Sequence, residues 1–133
     1  MADEDRTILR RVPPWPDQIT YRPGIECWTA TSYSIKPDSA EDFPSWSYAD
    51  ITSPERLIEI EARKRGNMNG WHVVEIRKSQ VESLGLRVFP DPTDEDPGHC
   101  LIKPGVSGRF TGKVWSKLAK MTRIIYTQPG SME

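Results

Sequence analysis

The sequence predicts an α+β fold: one mixed β-sheet with two main helices packed mainly on one face. Three observations predict it. Short apolar, β-branched or aromatic runs alternate with turn residues along the chain. Two segments, 52–66 and 111–121, carry helix start and stop signals. A length of 133 residues suits one hydrophobic core, so a single domain over 1–133 is expected, with polar, mobile tails at 1–7 and 127–133.

Ile8 to Val12 read as a first strand. Pro13, Pro14 and Pro16 then force an extended path, because each proline fixes its own φ and restricts its predecessor. Arg22-Pro23-Gly24 marks a turn. Cys27 to Ile35 is rich in residues that suit a pleated surface and reads as a strand, with Ser32 and Tyr33 on opposite sides. The stretch 36–50 reads as a loop, since Pro37 and Pro44 interrupt any ladder and its acids keep it solvated. A helix opens at Thr52, where Thr52 and Glu55 match a capping box and Pro54 sits in the first turn. It closes at Arg63-Lys64-Arg65 and Gly66.

Trp71 to Ile76 form the next strand. Ser79 and Glu82 match a second capping box, ended by Gly85. Leu86, Val88 and Phe89 suggest another strand, followed by a Pro- and acid-rich loop from Asp91 to Gly98. Cys100 to Ile102 read as a strand, Thr111 caps a helix over 112–121, and Ile124 to Tyr126 close the sheet.

Composition narrows the function classes. The net charge is −1, 36% of residues are hydrophobic and 28% are charged, values of a folded globular domain. No apolar run approaches the roughly 18–20 residues of a membrane span, so no membrane partner is expected. The acidic start Met-Ala-Asp-Glu-Asp is unlike a secretion signal, and two cysteines make no disulfide framework; both favour a cytoplasmic setting. The five tryptophans are an excess that serves either a bulky core or a binding surface.

Several residues could carry chemistry. Cys27, His72, His99 and Cys100 are metal-ligand types without metal-ligand spacing, and His99 and Cys100 would point to opposite sides of a strand. Neither a metal nor a cofactor is expected. His99, at a loop-to-strand junction beside acids, is the histidine best placed to carry a proton. Arg11, Ser32 and Tyr33 could converge with it in one cleft, an arrangement loosely like an ADP-ribosyltransferase or a hydrolase. Asp91, in a loop stiffened by prolines, and the aromatics Trp15 and Trp46 are candidate binding residues. Lys113, Lys117 and Lys120 share one helix face and could meet phosphates, although the chain as a whole is slightly acidic. Residues 107–114 look like a phosphate loop but lack its first glycine and its Ser or Thr.

Arg10-Arg11-Val12-Pro13 at the start, the hydroxyl-rich stretch Thr31 to Ser34, and Leu84-Gly85-Leu86, Val88, Asp91-Pro92 and Pro97-Gly98-His99 further on together resemble a group of small bacterial proteins with no established activity. The resemblance implies a bacterial or phage setting and a compact α+β fold, and no reaction. Small size, the aromatic excess, the stiff acidic loop, the basic helix face and the lack of a catalytic motif make the expected function a protein-binding or accessory module, in a defence or toxin–antitoxin locus, with another protein as partner. A small enzyme using His99 is the first alternative, and nucleic-acid binding through the helix near Lys113 is the second.

Overall fold

The computed structural model describes residues 5–36, 43–105 and 110–129. Among these residues eight strands and four helices follow in the order β1 (Thr7–Val12), β2 (Ile19–Arg22), β3 (Cys27–Ala30), α1 (Ser32–Ile35), β4 (Ser45–Tyr48), α2 (Pro54–Arg65), β5 (His72–Arg77), α3 (Lys78–Glu82), β6 (Leu86–Pro90), β7 (His99–Pro104), α4 (Gly112–Met121) and β8 (Arg123–Thr127). The fold is α+β. Six strands form one sheet in the order β6-β7-β4-β1-β5-β8, with every neighbouring pair antiparallel; β2 and β3 form a separate ribbon.

The central strands β1 and β5 are apolar at consecutive positions, Ile8-Leu9 and Val73-Val74, and side chains alternate across a strand. Both faces of the sheet are therefore covered. On one side Ile8, Val12, Trp46 and Val74 pack with Ile35 of α1, Val81 of α3 and Leu118 of α4. On the other, Leu9 and Val73 pack with Leu57 and Ile58 of α2 and with Met68. The two long helices thus take opposite faces, where the sequence pattern suggested one. The doubled apolar positions of β1 and β5 are the physical reason: each contributes a buried residue to both sides.

Other local differences have local causes. The Cys27–Ile35 strand stops at Ala30, because the Thr31 hydroxyl accepts from the backbone N–H of Ser34 and starts the one-turn α1. Ser32 and Tyr33 are helical as a result. The expected loop at 36–50 contains β4, which joins β1 to β7 in the middle of the sheet; Pro44 lies just outside it, offering its carbonyl to Ile102. Ser53, not Thr52, caps α2. At α3 the backbone of Arg77 bonds Gln80 while Ser79 bonds Asp5. The described parts of the expected tails are tied down. Arg6 grips the Asp50 carboxylate at 3.0 and 3.1 Å, Thr127 pairs with His72, and Gln128 donates to the Trp71 carbonyl. Among the described residues no helix is long and apolar enough to cross a membrane.

Candidate functional site

β1 and β4 are in register only at Ile8–Tyr48 and Leu9–Ser47, whereas β1 continues alongside β5 to Val12. Beyond Leu9 the first pair parts. Arg10 bridges the opening: its guanidinium donates to the carbonyls of Ser34, Ser45 and Lys36 at 3.1, 2.8 and 3.1 Å, fixing the end of α1 to the start of β4. Arg11 projects to the other side, donating to the Leu57 carbonyl at 3.0 Å and facing Glu61 at 3.5 Å, which ties β1 to α2.

A groove of about 600 Å³ opens at this place. Segments far apart in sequence line it: the proline-rich stretch with Pro13 and Trp15, Tyr33 of α1, Lys64 and Arg65 of α2, and Asp96 and His99 around the acidic loop. Trp15 and Tyr33 are exposed, 55% and 66%. Trp15 meets Trp71 edge to face with centroids 6.4 Å apart, and the Arg65 guanidinium lies 5.2 Å from the centre of the Trp71 ring. Lys64 reaches Glu95 at 3.5 Å, linking α2 to the acidic loop.

That loop is built around a buried carboxylate. Asp96 is 6% exposed and accepts from the hydroxyls of Ser47 and Thr52 and from the backbone N–H of Gly98. Its own N–H donates to Thr93, and its carbonyl receives the backbone N–H groups of Thr93 and His99. Gly98 is a glycine because a Cβ there would sit 2.5 Å from the Thr52 hydroxyl and 3.0 Å from Ile51 Cβ. Asp91 and His99 close the far end. His99 Nδ1 lies 2.9 Å from the Asp91 carbonyl and 3.1 Å from its carboxylate, while the Asp91 N–H donates to the His99 carbonyl. A carbonyl can only accept, so Nδ1 carries a proton, and in the neutral ring Nε2 is the acceptor.

The groove gathers Arg11, Trp15, Tyr33 and His99 from the expected residues, with Asp91 behind His99. It does not gather Ser32, which α1 places elsewhere. Trp46, expected at a binding surface, is 1% exposed in the core; β4 is a central strand and Trp46 faces its apolar side, its indole N–H without a hydrogen-bond partner among the described residues. Lys113, Lys117 and Lys120 stand exposed on α4 and do not line the groove. Of the stretch resembling a phosphate loop, 107–114, residues 107–109 lie outside the described residues; Thr111 caps α4 by accepting from Val114.

The groove's Trp71, Lys64 and Arg65 and the buried Asp96 were not singled out by the sequence. Asp96 in particular reads there as one solvated acid among four. The buried Cys100 thiol of β7 is pushed up to about 12 by burial, with the Asp96 carboxylate adding to the effect, so it stays protonated at neutral pH. Among the described residues no three His, Cys, Asp or Glu side chains come together as a metal site. No protein-family model, curated protein or solved structure matches the chain.

Proposed function

We propose that the chain is a protein-binding module whose groove receives an extended segment of a partner. One observation carries the reading: Trp15 and Tyr33 stand exposed on an open groove of about 600 Å³, with Trp15 backed by Trp71 and Arg65. Large aromatics supply much contact area at small entropic cost and dominate binding energy where a partner desolvates them. Two of the groove hydroxyls, those of Ser34 and Thr93, are engaged internally, which supports binding over nucleophilic chemistry at these two. Ser34 donates to the Thr31 carbonyl, and the Thr93 hydroxyl is engaged with the Asp96 backbone.

The test is a random-peptide display selection on the full chain, with enriched sequences remade as synthetic peptides. The reading expects an enriched motif whose affinity falls at least about tenfold, or ~1.4 kcal/mol, in Trp15→Ala and in Tyr33→Ala. No enrichment, or peptides that bind the double variant unchanged, would refute it.

An enzyme using His99 is a second reading, favoured by Asp91 holding the imidazole so that Nε2 is its acceptor in a groove shared with Arg11 and Tyr33. It expects turnover of NAD or of an activated ester that is lost in His99→Ala while the melting temperature changes little. An inert wild type towards both probes, or a His99→Ala protein that is as active, would remove it.

A further inference from the structure

A second cavity, of about 320 Å³, lies where the β2–β3 ribbon passes β8, away from the groove. Its lining combines the apolar residues Ile19, Trp28 and Ile124 with Cys27, His72, Arg123 and Thr127. Among the described residues no acidic side chain lines it. Arg123 uses only Nη1 internally, donating to the carbonyls of Lys120 and Thr122 at 3.3 and 2.9 Å. Its Nε and Nη2 have no acceptor among the described residues. His72 Nδ1 is 2.8 Å from the Thr127 hydroxyl, so this ring is oriented with Nε2 as its remaining polar atom.

We propose that this cavity binds a small monocarboxylate with an apolar, ring-sized body, its carboxylate on the Arg123 guanidinium and its body against Ile19, Trp28 and Ile124. The volume sits at the lower end of the range for small-molecule sites, and an apolar cavity with a few convergent polar groups is the form such sites take. Charge complementarity selects an anion: a guanidinium with unused donors pairs with a carboxylate through two parallel hydrogen bonds. Burial lowers the basicity of His72, so its imidazole is neutral at neutral pH and adds no second charge, which suits one negative group rather than two. Trp28, 50% exposed, closes over a bound ring and meets Tyr21 edge to face at 5.6 Å.

Cys27 supplies the assay, because it lines the cavity while the other cysteine is buried. The full chain is treated with iodoacetamide, and alkylation at each cysteine is followed by mass spectrometry with benzoate, with benzyl alcohol, or with neither. Benzoate is expected to slow Cys27 alkylation saturably, with benzyl alcohol at least about tenfold weaker. Arg123→Gln is expected to erase the preference for benzoate. Because Arg123 also bonds the end of α4, Trp28→Ala provides a second variant at an exposed position, and it is expected to weaken benzoate protection severalfold. Equal effects of the acid and the alcohol, no protection by either, or a preference unchanged in both variants would overturn the proposal.

Discussion

Replacing Asp96 with alanine removes one carboxylate and orphans three donors. The hydroxyls of Ser47 and Thr52 and the N–H of Gly98 all point at it, and Asp96, Ser47 and Thr52 are each 6% exposed or less. A buried polar group without a partner costs about 1–3 kcal/mol. The hydroxyls can rotate and water can enter the vacated space, so the three costs do not simply add; the expected loss is about 3–5 kcal/mol. At this chain length that corresponds to a fall in Tm of roughly 10–20 °C. Urea unfolding followed by far-UV circular dichroism measures it, with a lower midpoint at unchanged slope as the expected signature. Asp94→Ala, at an exposed acid in the same loop, is the control and should stay within about 0.5 kcal/mol of wild type. An Asp96→Ala loss below about 1 kcal/mol would refute the claim that this carboxylate holds the loop.

Three further outcomes are expected. Gly98→Ala should cost about 1–3 kcal/mol, measured by the same unfolding assay, because the new methyl would press on Thr52 and Ile51 at the Asp96 contact. Native protein treated with a thiol reagent near neutral pH should be modified at half-buried Cys27 and not at Cys100, which should react only on unfolding; the raised pKa and burial of Cys100 set this order. His72, whose pKa burial lowers, should make the protein less stable on mild acidification. Between the lowered folded value and the ordinary value near 6.5 the unfolded chain binds more protons, so stability falls as pH drops through that window, and His72→Gln should flatten this part of the pH–stability curve.

The sequence is most legible where structure is local. The α2 and α4 limits follow from short-range chemistry: a hydroxyl accepting from an N–H three residues on, Pro in a first turn, and Gly66 after Arg65. Strands β1 and β5 announce themselves by their β-branched and leucine residues, with the apolar pairs Ile8-Leu9 and Val73-Val74. β4 is hidden because it is four residues long, follows Pro44, and alternates Ser with Trp and Tyr; what makes it a strand is pairing with β1 on one side and β7 on the other. Ser32 and Tyr33 have strand-like neighbours, yet the side chain of Thr31 competes for the backbone and wins.

The groove was only partly readable for the same reason. Trp15, Tyr33, Arg11 and His99 can be suspected as residue types. That they meet depends on where two strands stop pairing, which no single segment encodes. Asp96 shows the limit most clearly: four acids in one loop look alike in sequence, and only Ser47 and Thr52, more than forty positions away, single out one of them.

The five tryptophans offer a direct test of the groove assignment, since their indole N–H signals resolve separately in a proton–nitrogen correlation spectrum. Trp15 and Trp71 mark the groove, Trp28 the second cavity, and Trp46 and Trp115 the core. On titration with a display-selected peptide, the Trp15 and Trp71 signals should move while those of Trp46 and Trp115 stay fixed. Movement confined to Trp28, or no movement of Trp15 with a peptide that binds, would contradict the groove as the recognition site.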